Sequence, residues 1–496
     1  MMITINKINE TYVKLSSDDI DDMDVLAELD KSLTFVVDGY KFMPAYKMGF
    51  WDGKIRLFDM KTGKVYFGLL NRVTEFLNER NITFKKDLSI KNNHVTREEI
   101  EKFIDDLDVG VNGTKLEVRD YQKDTIEKCI NQERLLFTVP TSGGKSFIAY
   151  VNTMWHLCQD RKVLCVVPTV DLVNQLFDDF KDYSKQNGYD VEKNMHKISA
   201  GASKIVDDYE IVVTTWQSIY KESAQWLNQF DVIIGDEAHL FNAKSLTSIL
   251  EKATKIKYRI GMTGTLADAK VNKLVLEGLF GGIYNATTTK KLMDDGHISN
   301  LKIYGMVLNH DDDTKKLLKK ASYDDEIKFL NQNKKRNRFI VNLASSLSGT
   351  TLVLFNLVEK HGRGLYDDFV KHNPDKDAYF LSGDSDKDER AQVKIDAKKK
   401  DIVIFASYKL YSTGISIPTI KNIIFCQGTK SKIRVSQSIG RGLRLHESKT
   451  HAKLFDIADD LSNKNYVNHS MRHFKERLEL YNREGFDYTI KIFDLF

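Results

Sequence analysis

The 496-residue sequence predicts an α/β protein with two consecutive parallel sheets, preceded by a small α+β unit. Three observations predict it. From about residue 134 short apolar runs alternate with more polar helical stretches, and a second series of such runs begins at 350. A glycine-rich loop, VPTSGGKS at 139–146, joins the first run directly to a helical stretch. Short apolar runs of this kind read as strands buried on both faces, as helices on both sides of a parallel sheet require.

The region before about residue 110 lacks that rhythm. It reads as an acidic helix around 18–32, a hairpin KIRLFDMKTGKVYFG at 54–68, and helices near 69–80 and 96–107. The first sheet then takes LLFTV (135–139), KVLCVV (162–167), EIVVTT (210–215), DVIIGD (231–236) and YRIGMTGT (258–265). The second takes TTLVLF (350–355), DAYFLSG (377–383), DIVIFAS (401–407), NIIFCQ (422–427) and AKLFDIAD (452–459). The division falls near 300. The expected domains are 1–110, 111–300 and 301–465, with a helical extension over 466–496 packing back on the second sheet.

Composition narrows the class. Hydrophobic residues at 42% and charged residues at 29% describe a soluble protein, and no apolar run is long enough to span a bilayer. The opening MMITINKINE does not read as a signal peptide, so a cytoplasmic protein is expected. The four cysteines are scattered, against a disulfide framework or a zinc site. Net charge is +4, divided as −5 over residues 1–300 and +9 over 301–496. A basic half suits a polyanionic partner, and a solvated basic surface accounts for it equally well.

Chemistry concentrates in three places. In VPTSGGKS, Gly143 and Gly144 let backbone N–H groups turn toward phosphates at a helix N-terminus. Lys145 would reach the outer phosphates and Ser146 would ligate Mg²⁺. Val139 stands where the usual phosphate loop has glycine, at the strand end, away from the phosphates. In DVIIGDEAHL a strand ends in Asp236, a metal-binding carboxylate, and Glu237, a base for the attacking water. Asp236 and Glu237 could instead open a helix, which the preceding strand and His239 make the weaker reading. In QSIGRGLR (437–444), Arg441 and Arg444 lie three apart on an expected helix. Two guanidiniums on one face can stabilise charge on a transferring phosphoryl group. The loop VPTSGGKS has no arginine beside it in the first sheet, so hydrolysis would depend on closure of two domains.

In order and content these motifs resemble those of the superfamily-two helicases with a DEAH box. Arg119-Asp120-Tyr121-Gln122 resembles the adenine-reading motif, VPTSGGKS motif I, VVPTVDLVNQ (166–175) motif Ia and VTTWQS (213–218) motif Ib. DEAH (236–239) is similar to motif II, TGT (263–265) to motif III and TLVLF (351–355) to motif IV. SYKLYSTGISIP (407–418) and QSIGRGLR resemble motifs V and VI. The resemblance implies two tandem RecA-like domains and an ATP hydrolase with Mg²⁺. It implies that Tyr121, Gln122, Thr141, Ser142, Gly143, Gly144, Lys145, Ser146, Gly414 and Gln437 line the nucleotide. His239, Thr263 and Thr265 would couple hydrolysis to domain movement. Pro168, Thr169, Thr214, Trp216, Gln217, Ser412 and Thr413 would hold one nucleic-acid strand by its backbone, although Trp216 can equally be core.

FWDGKIRLF (50–58), YQKD (121–124) and KLYSTGIS (409–416) further resemble the recombination helicases of T-even-type phages. That implies a monomeric DNA helicase acting on branched DNA and RNA–DNA hybrids: branch migration, fork regression and R-loop removal. Its setting would be phage recombination, repair and replication in the host cytoplasm, off the membrane, beside single-strand-binding or recombination proteins. In that family the small N-terminal domain contributes to nucleic-acid binding. Tyr40, Phe42, Tyr46, Phe50 and Trp51 interleave with Lys41, Lys47, Lys54 and Arg56, a mixture that suits nucleic acid or a small hairpin core. An RNA helicase, a restriction-type duplex translocase and an ATP-gated clamp stay open as alternatives.

Overall fold

The computed structural model describes residues 2–17, 22–37, 39–86, 94–111, 113–199, 201–242, 244–266, 270–413, 417–428, 431–447, 449, 451–463 and 465–495. The described chain forms two compact units, Met1–Val139 with Gly144–Ala286, and Pro140–Gly143 with Thr287–Phe496.

The first unit begins with a five-stranded sheet in the order Phe58–Asp59, Lys64–Tyr66, Tyr12–Ser16, Met2–Lys7, Thr83–Lys86. Its alternate residues Ile3, Ile5, Val13 and Leu15 are buried, the period-two pattern of a one-sided sheet. The helices Asp22–Ser32 and Leu70–Glu79 contribute Leu26, Leu29, Val73 and Leu77 to the same core. The expected hairpin over 54–68 is split between two sheets. Lys54–Arg56 pairs with Thr34–Val36, while Phe58–Asp59 pairs with Lys64–Tyr66. Gly63 makes the tight turn possible: its φ is +71°, and a Cβ there would lie 2.2 Å from the Leu15 carbonyl oxygen.

The rest of the unit is a seven-stranded, wholly parallel sheet. Across it run Met195–Ile198, Ile211–Thr215, Val163–Val167, Val232–Asp236, Tyr258–Thr263, Arg134–Thr138 and Gly282–Asn285. The helix Arg97–Asp106 packs here, with Arg97 bonded to Asp124 and Phe103 edge-on to Trp155. One hydrophobic cluster runs from Ile3 to Phe280, so the small domain and this sheet share a core. The join is tight: a Cβ on Gly68 would meet the Glu277 carbonyl oxygen at 2.1 Å. Polar groups brace it. Arg134 pairs with Glu10 at 2.7 Å, Arg72 with Glu277 at 2.7 Å, and the Tyr66 hydroxyl donates to Glu251 at 2.6 Å.

The second unit is also a seven-stranded parallel sheet, in the order Ala378–Leu381, Val403–Ser407, Thr351–Phe355, Asn422–Phe425, His451–Asp460, Asn300–Asn309, Tyr488–Asp494. The last stretch is more than helical. The helix His469–Arg483 packs back through Phe474, Leu480 and Tyr481, and Tyr488–Asp494 then adds an edge strand beside Asn300–Asn309. That strand is mostly exposed, so it carries no apolar run to announce it in sequence. Two ion networks lie inside this unit. Arg336 bonds Asp459 at 2.9 Å with His310 at 3.2 Å from the same carboxylate, and Arg477 and Tyr481 both donate to Asp456. Among the described residues no helix is long and apolar enough to cross a membrane. Cys129, Cys165 and Cys426 are buried, Cys158 is exposed, and all four are free.

Candidate nucleotide-hydrolysis site

In a parallel sheet ligands gather beyond the C-terminal ends of the strands. Every first-unit motif residue reaches that edge. Arg134–Thr138 runs into the loop, and the helix Lys145–Leu157 begins at Gly144, which caps it with φ 82°. A Cβ on Gly144 would lie 2.3 Å from the Gln122 side-chain nitrogen, so glycine lets Gln122 press against the loop. Gln122 is buried and accepts from the Arg119 backbone N–H at 3.0 Å, while an Arg119 guanidinium nitrogen donates to the Tyr121 hydroxyl at 3.0 Å. Val139 is fully buried, and its N–H donates to the Thr263 carbonyl at 3.0 Å. The missing glycine is thus a core position that ties the loop to the TGT strand. Ser142 holds φ 70°, a left-handed conformation that turns the loop. Lys145 Nζ donates to the Val139 carbonyl at 3.1 Å, folded back on its own loop. The Ser146 hydroxyl lies 3.0 Å from that of Tyr183.

Val232–Asp236 delivers the acidic pair. Burial and the Glu237 carboxylate beside it push the Asp236 carboxyl up to about 6, against the pull of the Lys145 ammonium, so the two motifs act on one another. Glu237 holds φ 47°, an uncommon conformation for a side-chain-bearing residue. His239 Nδ1 lies 2.9 Å from the Thr263 hydroxyl and 3.3 Å from Glu237 Oε2. The Thr263 hydroxyl is 3.4 Å from Glu237 Oε2 and 2.9 Å from the Thr265 carbonyl. A base, a buried imidazole and a buried hydroxyl therefore form one network across neighbouring strands. Thr265 joins it through its backbone, and its own hydroxyl is buried without a hydrogen-bond partner among the described residues.

The residues expected on nucleic acid divide. Pro168, Thr169 and Gln217 sit together at the same edge, Gln217 donating to the Pro168 carbonyl at 3.3 Å. Thr169 caps the helix Val170–Tyr183 by accepting from the Leu172 N–H. Thr214 is fully buried, and Trp216 is partly buried with its ring packed against the core. In the second unit Ser412 and Thr413 end the helix Tyr408–Thr413, and Gly414 lies outside the described residues. The helix Lys432–Gly442 carries Gln437 and Arg441 but stops before Arg444, which follows it instead of sharing its face. The stop is local: glycine is a weak helix former, and a Cβ on Gly442 would meet Ile423 Cδ1 at 2.3 Å. Both guanidiniums nevertheless act on the buried Tyr411 phenol, opposing the burial that pushes it up to about 12. Sequence reasoning passed over Tyr183 and Arg119, the partners of Ser146 and Gln122. Arg119 had a signal, since it opens the adenine-type motif; Tyr183 had none.

Two parallel sheets of one topology, a phosphate loop and an acid–histidine–threonine network define a superfamily-two helicase, an ATP-driven enzyme. Comparison gives the same class. Residues 115–268 match the type III restriction enzyme res subunit family, 334–446 the helicase conserved C-terminal domain, and 7–87 the N-terminal domain of the DNA helicase UvsW. The chain is 35% identical over 490 residues to the ATP-dependent DNA helicase uvsW of Enterobacteria phage T4, covering 94% of this chain and 95% of that one. The crystal structure of T4 UvsW aligns over all of both chains with a TM-score of 0.53 and 31% identity. A type I restriction HsdR fragment from Vibrio vulnificus shares the fold, with a TM-score of 0.56 and 18% identity over 76% of this chain and 69% of that one. The chain belongs to the UvsW family of ATP-dependent DNA helicases.

Proposed function

We propose that this helicase works on branched DNA, driving branch migration, fork regression and R-loop removal. The reading is carried by the small N-terminal domain. It shares a core with the first sheet, so whatever it touches is held at a fixed offset from the motor edge. It also presents Phe42 and Phe50, each more than four-fifths exposed, and Met48 beside Lys41, Lys47 and Lys54. Exposed rings stack unpaired bases and lysines meet phosphates, the mixture that a strand junction offers. The two tyrosines of that stretch, Tyr40 and Tyr46, pack edge-to-face with each other, while the two phenylalanines stay exposed.

In hydrolysis, Gln122 would read adenine, the loop N–H groups and Lys145 would hold phosphates, and Glu237 would take the proton of the attacking water. Ser146 and Asp236 are hard oxygen donors of the kind Mg²⁺ takes beside nucleotide phosphates, so the residues present fit that ion. Mg²⁺ would neutralise charge on the phosphates. Arg441 and Arg444 would act as arginine fingers. Thr263 and His239 hold Glu237 in place, which suits them to pass hydrolysis on to movement. Pro168, Thr169 and Gln217, with backbone at Thr214 and Trp216 and the segment Ser412–Gly414, would track one strand through its phosphates without reading sequence. The working form would be a monomer that meets single-strand-binding or recombination proteins on DNA.

Strand separation and ATP turnover on single strands, plain duplex, forks, four-way junctions and R-loops test this reading. Faster processing of forks and junctions is expected; equal rates on plain duplex would overturn it. Replacing Phe42 and Phe50 by Ala should remove the preference for junctions while leaving single-strand-stimulated turnover intact.

A further inference from the structure

At the N-terminal edge of the second sheet, just before the strand His451–Asp460, stands a buried lysine outside the helicase motifs, Lys449. Lys449 is 5% exposed, and its ammonium donates to the Gly442 carbonyl at 2.8 Å and to the Pro418 carbonyl at 2.9 Å. Gly442 lies between Arg441 and Arg444, and Pro418 closes the motif V segment that begins at Ser407. The last carbonyls of a helix are left without intrahelical partners and carry the negative end of its dipole. The helix Lys432–Gly442 therefore ends on a buried cation. Its continuation is held as well: the Ser299 N–H donates to the Leu443 carbonyl at 2.8 Å, and the Ser299 hydroxyl reaches the Arg444 carbonyl at 3.4 Å.

We propose that Lys449 is a positioning residue for Arg441 and Arg444, clamping the arginine-bearing helix end to the motif V segment so that the two move as one. This rests on the arginine-finger reading above. Among the described residues Lys449 is the side chain that donates to both carbonyl oxygens, and at this helix end its charge also meets the negative end of the helix dipole. Burial pulls that ammonium down to about 8, still largely charged at neutral pH. Without the clamp the helix end keeps its fold through Ser299 and Ile423 but loses its tie to Pro418. Small misplacement of groups that act only in the transition state lowers turnover far more than substrate binding.

The test uses the full chain carrying Lys449→Met, Lys449→Gln or Arg441→Ala, with steady-state ATPase on forked DNA and thermal melting. The expected result for both Lys449 variants is a kcat lowered about ten- to a hundredfold with KM for ATP within about twofold of the native value and melting nearly unchanged. Native kcat in a folded Lys449→Met chain overturns the assignment. So does a parallel loss of kcat, ATP affinity and melting, or failure of both variants to fold, since each makes Lys449 a scaffold residue only. Arg441→Ala separates the layers. Normal hydrolysis there defeats the finger reading itself, whereas a dead Arg441→Ala beside an active Lys449→Met defeats only the clamp.

Discussion

The two α/β units are built on one plan and put to different uses. Numbering the strands of each sheet in chain order, both run third, fourth, second, fifth, sixth, first, seventh. Each therefore has a first strand beside a sixth, with a loop leaving the first. In the first unit that loop is VPTSGGKS, and its neighbour at the end of the sixth strand is Thr263, the hydroxyl that joins Glu237 and His239. In the second unit the chain leaves the first strand at His310, and its neighbour is Asp459, locked to Arg336. The same topological position holds the glycine-rich loop in one sheet and a buried ion network in the other. Topology supplies the place, and side chains decide whether it becomes a loop at a helix start or is filled by an ion pair.

This contrast can be broken from either side. Lys145→Ala should have the largest effect, lowering DNA-stimulated ATP turnover about 10³-fold; unchanged turnover would remove the phosphate-loop assignment. Asp459→Ala should destabilise the second unit by about 3–5 kcal/mol, because it strands the fully buried Arg336 guanidinium without its carboxylate. Denaturant melting of the variant measures this, and a loss under 1 kcal/mol would mean that the network does not hold the sheet. Thr263→Val keeps the shape but deletes the bridging hydroxyl. Turnover should fall about ten- to a hundredfold with ATP binding retained, and an unaltered kcat would show that Glu237 needs no support.

Acid should weaken both units. Burial pulls His156 in the first and His361 in the second down from 6.5 to about 3, with nearby arginines adding to the effect. The unfolded chain takes up protons below pH 6.5 that these folded imidazoles refuse. Stability is therefore full above that pH and falls toward pH 3 by about 1.4 kcal/mol per pH unit for each histidine. Urea midpoints at pH 7 and pH 5 measure the slope, and His361→Gln should flatten the share that belongs to the second unit. The smallest effect falls on the small domain. Glu251→Gln keeps an acceptor for Tyr66 but removes its charge, and should cost about 1 kcal/mol. A larger loss would make that ion the chief tie between small domain and sheet.

The strand–loop settings of VPTSGGKS, DEAH and TGT were legible because each is a few contiguous residues, whereas the arginine pair was misplaced because the helix stops at Gly442 and leaves Arg444 beyond it. The first two have local backbone needs, two glycines at a helix start or a strand running into two acids, that few sequences can meet. The central strands were legible for a related reason: burial on both faces demands an unbroken apolar run, as in VLCVV and IVVTT. The edge strands Met195–Ile198 and Gly282–Asn285 carry no such run, and neither does Tyr488–Asp494, where exposure relaxes the demand. Thr214, expected on nucleic acid, is buried because its strand, Ile211–Thr215, is covered on both faces, and Trp216, which opens the next helix, is partly buried against the core.

By itself, then, the sequence determined the class, an ATP-driven helicase, since the motifs that mark it depend on residue type and short spacing. Tertiary structure alone decided which distant residues partner one another. Tyr183 stands 37 residues from Ser146. Glu251 is 185 residues from Tyr66. Arg336 is 123 residues from Asp459. A buried polar group must find its partner wherever packing brings one, and chain distance carries no trace of that choice.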